Sequence, residues 1–173
     1  MVRAMVRRNL LPEHALHAKY ALQGGYVDCY VTQIARAVTH AEFVAAFYTT
    51  WLFKLERFVL RWFVEKDSTD LQAAELADGE RKSFAAWTVE DRADDQLLMC
   101  DFQGKTRSWF MVEPVLDETP GTRLLFGTAI VPITDRTTGE RRLSRGFRLL
   151  LGFHKLYSRG LLNAARSRLE AVS

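Results

Sequence analysis

Histidine and tyrosine side chains near the C-terminus are the residues best suited to act on a ligand. His154 and Tyr157 are three residues apart in a segment where apolar residues recur every three or four positions, which predicts a helix carrying both on its apolar face. There the imidazole can act as a general base or hold the polar end of a ligand, and the Tyr157 hydroxyl can reach the same space. The alternative is a hydrogen-bonded structural histidine, and the sequence leaves both open.

A predicted strand carries a second group of candidates. Because side chains alternate along a strand, one face carries Arg107, Trp109, Met111 and Glu113, and the other carries Ser108, Phe110 and Val112. The first face combines an aromatic surface with fixed charges, which is how a pocket orients an amphipathic ligand. The alternative is that Phe110 and Val112 face the core while the charged residues are solvated.

Motifs for catalysis and metal binding are absent from the sequence. It has no G-x-S-x-G, P-loop or G-x-G-x-x-G pattern and no His/Cys/Glu set at metal-ligand spacing. Cys29 and Cys100 are far apart, which predicts two reduced thiols in a cytoplasmic protein. We therefore assign no catalytic residue, no metal and no cofactor, and we favour a protein that is not an enzyme.

The length and composition fit one globular domain. Of the 173 residues, 48% are hydrophobic and 26% charged, with ten glycines and four prolines, which excludes disordered and collagen-like chains. We interpret the chain, residues 1–173, as a single domain. Residues 1–23 form an irregular lead-in, without the apolar region of a secretory signal, and residues 24–172 form the folded part.

Charge and hydropathy limit the classes of partner. The net charge is +4 over residues 1–64, −8 over residues 65–118 and +7 over residues 119–173. We expect the basic and acidic segments to complement each other within the fold, and we expect no nucleic acid, because no nucleic-acid-binding motif accompanies the basic residues. Four charges interrupt the longest apolar stretch, residues 43–64, which therefore does not predict a transmembrane helix.

The same stretch permits peripheral contact with an anionic membrane surface, since aromatic depth anchors combine there with basic side chains. The alternative is that most of these aromatic residues belong to the core. The residues concerned are Trp51, Arg57, Phe58, Arg61, Trp62 and Phe63.

Local patterns predict the elements that position the candidates. Residues 26–34 alternate as a β-rich strand, and a capping box at Thr39 and Glu42 starts a helix that breaks at Thr49 and Thr50. Asp67 or Ser68 caps a short helix that ends at the turn of residues 78–79. Four antiparallel strands follow, over residues 83–90, 96–103, 106–115 and 122–133, and a long helix over residues 141–172 closes the chain.

This order of elements resembles the helix-grip fold of the Bet v 1 and START-related (SRPBCC-type) superfamily. The strand over residues 106–110 and the closing helix over residues 152–162 are similar to those of an uncharacterised bacterial family associated with it. The resemblance implies an α+β fold in which a curved antiparallel sheet wraps around the last helix and leaves a cavity. The sequence predicts five strands, where the superfamily has six or seven, so either a strand is missed near residue 133 or in the lead-in, or the sheet is reduced.

The resemblance implies a protein that binds a small apolar or amphipathic, lipid-like molecule between sheet and helix. The expected cavity residues are Trp87, Met99, Trp109, Phe126, His154 and Tyr157, with Arg107 or Arg123 neutralising an anionic head group. Two alternatives remain open. One is a cyclase or isomerase on the same scaffold, with His154 as base and an arginine stabilising an oxyanion. The other is a non-catalytic homo-oligomeric protein whose interior is filled by its own side chains.

Overall fold

A curved antiparallel sheet organises the chain, with helices on one face and the N-terminal segment on the other. The structure is a computed structural model, and it describes residues 5–54, 69–116, 120–134, 139, 141–143 and 145–171. In these residues the sheet has seven strands in the order β1-β2-β7-β6-β5-β4-β3, and all neighbours are antiparallel. The strands are β1 (Arg7–Arg8), β2 (Tyr26–Ile34), β3 (Ser83–Phe84), β4 (Trp87–Arg92), β5 (Gln96–Asp101), β6 (Thr106–Val115) and β7 (Gly121–Ile130).

Helices and a small hairpin complete the described fold. The helices are α1 (Ala18–Leu22), α2 (His40–Tyr48), α3 (Asp70–Ala77) and α4 (Arg145–Ala171), and the hairpin pairs β8 (Ile133–Thr134) with β9 (Arg141–Arg142). Residues 51–54 are also helical, so a helix pair follows the first long strand. The predicted α+β architecture, a curved antiparallel sheet with a long C-terminal helix, is confirmed.

Hydrogen bonds from threonine side chains explain where the helices begin and break. Thr39 and Glu42 form the predicted capping box, with Glu42 N–H donating to Thr39 Oγ1 at 3.1 Å and Thr39 N–H donating to Glu42 Oε2 at 2.7 Å. The predicted break is confirmed, because Thr50 Oγ1 accepts from the Phe53 N–H at 3.2 Å and so caps the next helical turn.

Some predicted boundaries are wrong. Thr69, rather than Asp67 or Ser68, caps α3, and those two residues lie outside the described part of the chain. The strand predicted over residues 83–90 is divided into β3 and β4 at Ala85, which has a φ of +51°. The closing helix begins at Arg145 because Arg141–Arg142 pairs with β8 instead.

The lead-in is more regular than its sequence indicates, and it supplies a further strand. Residues 7–8 pair with β2, and residues 18–22 form α1. Counting β1 and the separate β3 raises the predicted five strands to the seven observed.

The helix face of the sheet carries an aromatic core. Phe47 on α2 lies with its ring centroid 4.7 Å from that of Phe110 on β6 and 4.7 Å from that of Phe126 on β7. Phe43 and Tyr48 extend this cluster, and both are fully buried. Burial of one such side chain contributes about 1.5–3 kcal/mol, so this cluster is a principal source of the stability of the helix face.

The opposite face is buried by the N-terminal segment. His17, which is 0% exposed, stacks on Trp109 with ring centroids 4.3 Å apart. Its Nε2 lies 3.1 Å from the Asp28 carbonyl oxygen. Gly127 makes room for the ring, since a Cβ there would approach His17 Nε2 to 2.6 Å. The segment therefore covers this face with a closely fitted histidine and with the short helix α1, whose Tyr20 is buried in the same cluster.

Gln96 links this segment to the sheet through both ends of its amide. Its Oε1 accepts from the Trp109 indole N–H at 2.8 Å and from the Leu16 N–H at 3.1 Å, and its Nε2 donates to the His14 carbonyl at 3.2 Å. A buried amide that satisfies three partners orients the segment as well as holding it.

We predict that stability falls as the pH drops from about 6.5 towards 4, and that a His17→Gln variant reduces this fall. Burial lowers the pKa of His17 to about 4, so in that range the unfolded chain takes up a proton that the folded chain refuses. The effect reaches on the order of 3 kcal/mol for His17. Urea unfolding at pH 7 and at pH 4.5 measures the effect. For each protein, the free energy of unfolding at pH 4.5 is compared with that of the same protein at pH 7.

Burial also lowers the pKa of His40 to about 4, so His17→Gln leaves part of the slope in place. Glutamine keeps an N–H donor for the Asp28 carbonyl but does not titrate in this range. An unchanged slope in the variant would contradict the role given to His17.

Candidate functional site

A cavity of about 190 Å³, partly open to solvent, lies between the helix face of the sheet and α4. Wider openings of about 350–580 Å³ on the described surface are grooves open to solvent. The cavity wall combines aromatic rings with hydroxyl groups and one imidazole. It is formed by Phe47, Tyr48, Phe53, Trp87, Thr106, Ser108, Phe126, Thr128, His154, Tyr157, Ser158 and Leu161.

Strand alternation and helix periodicity bring these side chains together. Ser108 on β6 is paired with Thr128 on β7, and both point towards the helices because each is an even number of residues from a core aromatic residue of its strand. On α4, His154, Ser158 and Leu161 recur at three- and four-residue spacing and therefore share one face. Small hydroxyl side chains on the strands leave the space that larger residues would fill.

A chain of hydrogen bonds connects the cavity wall to a buried carboxylate. The side chain of Asp28 is 0% exposed, and its Oδ1 accepts from the Thr128 N–H at 2.9 Å and from the Thr128 hydroxyl at 2.7 Å. Its Oδ2 accepts from the Tyr26 hydroxyl at 2.9 Å. Thr128 Oγ1 also lies 2.7 Å from His154 Nε2. These donors compensate for burying the carboxylate.

The number of available protons determines the direction of the hydrogen bonds between His154, Thr128 and Asp28. An ionised carboxylate only accepts, so the single Thr128 hydroxyl proton is donated to Asp28, and Thr128 Oγ1 accepts from an Nε2–H of His154. Burial lowers the pKa of His154, opposed by the nearby Asp28 carboxylate. The neutral imidazole with its proton on Nε2 is therefore the form that this network favours.

This arrangement differs from a nucleophile–base pair. In such a pair the histidine removes the hydroxyl proton, whereas here the Thr128 hydroxyl already donates to Asp28 and receives a hydrogen bond from His154. The chain therefore orients the His154 ring at the cavity wall. The side chain of His154 stays 19% exposed, so its ring is accessible from outside the core.

The structure brings four of the eight predicted site residues to the cavity. Trp87, Phe126, His154 and Tyr157 belong to its wall. Met99 is fully buried in the core of the same sheet face but does not line the cavity.

The other three predicted residues, Trp109, Arg107 and Arg123, lie on the opposite face of the sheet. Trp109 is fully buried there under the N-terminal segment. Arg123 lies 3.7 Å from Glu113, between Nη1 and Oε2. Of the two orientations considered for β6, the one that turns Phe110 towards the core is therefore the one observed, and neither arginine faces the cavity.

Arg107 is a structural residue that ties α1 to the sheet. Its Nε donates to Glu90 Oε2 at 2.7 Å and approaches the Tyr20 hydroxyl at 2.9 Å. Tyr20 in turn donates to Glu90 Oε1 at 2.5 Å, and Lys19 Nζ lies 2.9 Å from the same oxygen. Glu90 reaches this cluster by strand alternation, since Val89 beside it faces the helices, and a β-bulge between Val89 and Asp91 changes the register only after it.

Sequence reasoning missed the hydroxyl residues of the wall. Strand alternation places Ser108 on the face of Phe110, and the same rule would have placed Thr106 and Thr128 beside Phe110 and Phe126, but none of the three was assigned to the site. Asp28 carried no signal of its own, because its partner Thr128 is a hundred residues away in the sequence.

The structure also bears on metal and membrane binding. No group of three or more His, Cys, Asp or Glu side chains among the described residues is arranged to hold a metal ion. No helix in the described ranges is long and apolar enough to cross a bilayer. Of the aromatic residues considered for peripheral membrane contact, Trp51 is 72% exposed, and the others lie outside the described residues.

Comparisons with known proteins found no match to this chain. No family model matches it, and no curated protein and no solved structure is significantly similar to it. The architecture is compatible with a helix-grip fold.

We predict that Thr128→Val destabilises the protein by on the order of 1–3 kcal/mol, because Asp28 loses a hydroxyl donor in a site without solvent. Valine keeps the β-branched shape and the backbone N–H that donates to Asp28. Urea unfolding at pH 7 measures the change. Thr88→Val, at an exposed position of β4, is the matched control and should change stability by less than about 0.5 kcal/mol. Equal effects of the two substitutions would contradict the network.

Proposed function

We propose that this protein binds a small apolar or amphipathic molecule in the cavity between the sheet and α4. The observation that carries the proposal is this partly open volume of about 190 Å³, which is lined by aromatic rings and hydroxyl groups. We also propose that the protein belongs to the helix-grip superfamily and is cytoplasmic.

The volume limits the size of the ligand. A cavity of about 150 Å³ is enough for benzene, whereas sites for drug-sized ligands occupy about 300–1,000 Å³. A volume of about 190 Å³ therefore suits one substituted ring or a short branched chain better than a long acyl chain.

The wall determines which chemical groups the ligand carries. Trp87 and Tyr157, which are half-buried, offer ring surfaces for an apolar body. The hydroxyl groups of Ser108 and Ser158 suit a single carbonyl or hydroxyl substituent, since each can donate or accept. The described wall contains no arginine, so a neutral polar group fits it better than the anionic head expected from the sequence.

The isomerase or cyclase alternative receives less support from this geometry. It needs an arginine beside the base to stabilise an oxyanion, and both candidate arginines lie on the other face of the sheet. His154 Nε2 is also engaged with Thr128.

Two probes of equal shape test the proposed chemistry. We expect acetophenone and ethylbenzene both to bind, because each places one substituted ring in the cavity. Acetophenone should bind about fivefold more tightly, since its carbonyl accepts a hydrogen bond that contributes about 1 kcal/mol. Isothermal titration calorimetry measures both affinities, and mass spectrometry of an extract of the purified protein identifies any ligand carried from the cell.

A filling substitution locates the binding site. Ser158→Leu places a larger side chain into the cavity and should abolish binding of both probes, while Ser167→Leu makes the same change elsewhere on α4 and should leave binding unchanged. Ser108→Val is a second filling variant, in case Ser158→Leu disturbs packing. Binding that survives both filling variants, in proteins that unfold cooperatively, would rule out the cavity as the site.

A further inference from the structure

A second concave site lies on the other side of α4 from the cavity. It is a groove of about 350 Å³ between α4 and the segment that leads into β1. Its lining shares no residue with the cavity wall, and it consists of Met5, Val6, Leu156, Arg159, Gly160, Asn163 and Arg166. Gly160 also lies close to Leu52, because a Cβ there would approach Leu52 Cδ2 to 3.4 Å.

Arg166 is the most unusual residue of this groove. It is only 2% exposed, although a guanidinium group is costly to bury. Its Nη1 donates to Glu170 at 2.9 Å and its Nη2 donates to Asn163 at 3.0 Å. Its Nε–H is buried without a partner among the described residues. A built, incompletely satisfied cation therefore lies at one end of the groove.

Positive charge extends along the groove. Arg159, two turns of helix before Arg166, is exposed, and no carboxylate of the described residues lies within ion-pair distance of it. Arg8 on β1 lies on the same side. Burial and the Asp28 carboxylate raise the pKa of Tyr30 to about 12, and the guanidinium groups of Arg8 and Arg159 oppose that rise from close by. Residues 1–4, which precede the groove in sequence, contain no acidic side chain.

The remaining lining is apolar. Leu156 is 69% exposed and Met5 is 82% exposed, and both border the groove beside the arginines. Exposed apolar side chains next to a partly satisfied guanidinium match a ligand that has an apolar tail and an anionic head.

We propose that this groove binds a small amphipathic carboxylate, with its head at Arg159 and Arg166 and its tail along Leu156 and Met5. Arg159, which is exposed, makes the charge-assisted contact with the head, and the positive charge of the buried Arg166 beside it adds to the attraction. This site is separate from the cavity, so it does not depend on the function proposed above.

Octanoate is the probe, with octanol and octylammonium as ligands of the same tail length and different head charge. We expect octanoate to bind at least tenfold more tightly than octanol and octylammonium to show no binding, as measured by calorimetry on the full chain. The affinity for octanoate should fall as salt is added, because the groove is open to solvent. Equal affinity for octanoate and octanol would overturn the proposal.

Variants on one helix assign the site. Arg159→Gln should weaken octanoate binding at least tenfold, whereas Arg168→Gln, an exposed arginine of α4 outside the groove, should change it less than twofold. Arg159 is exposed, so its substitution leaves the core intact, and thermal unfolding confirms this for each variant. Equal effects of the two substitutions would overturn the proposal.

The cavity variant separates the two sites. Ser108→Val should leave octanoate binding unchanged, because Ser108 does not line the groove. Loss of octanoate binding in Ser108→Val would place octanoate in the cavity and overturn the groove assignment. Failure of the acetophenone experiment, in contrast, has no bearing on the groove.

Discussion

Burial of both faces of one sheet is the constraint on which this structure depends. A sheet residue that faces the helices joins an aromatic core, and the next residue along the strand is covered by the N-terminal segment. Neither face is available to water over most of its length, so both sets of side chains are mainly apolar. Polar side chains on such strands need partners within the protein, and the Asp28 network and the Gln96 amide are two solutions to that requirement.

Two-sided burial also explains why the fold could be predicted more reliably than the site. Capping at Thr39, the break at Thr50 and most strand positions depend on local patterns, and local patterns are visible in the sequence. Which face of a strand turns towards the helices is not visible when both faces are apolar. Trp109 and Phe126 look equally suitable for a cavity wall, yet one stacks on His17 behind the sheet and the other borders the cavity.

The structure of the lead-in, residues 1–23, was also difficult to predict from local sequence patterns. Its regular elements, β1 and α1, are only two and five residues long, too short to give a clear periodicity, and its side chains are placed by the sheet face that they cover. His17 fits at Gly127, and the amide of Gln96 fixes the chain beside it, but these contacts join residues 80–110 positions apart. Cys29 and Cys100 remain unpaired thiols, as the sequence indicates, and burial raises the pKa of Cys29 to about 12.

The cavity and the groove place opposite demands on α4. On the cavity side the helix presents neutral side chains. On the groove side it presents two arginines next to the exposed Leu156. One helix thus separates a neutral interior from a cationic exterior. Ser158 faces the cavity, and Arg159, the next residue, faces the groove. A shift of the helix along its axis therefore moves the walls of both sites.

The extra residue of the bulge in β4 determines which side chains of this strand face the helices. Before it, Trp87 faces the helices; after it, Arg92 also faces them and donates to the Leu76 carbonyl at the end of α3, at 2.6 Å. In an uninterrupted strand, residues five apart point to opposite sides. A homologue that lacks one residue here can therefore retain the indole at the cavity or the guanidinium at the helix end, but not both, and a single-residue gap at this point in an alignment would mark a different binding wall.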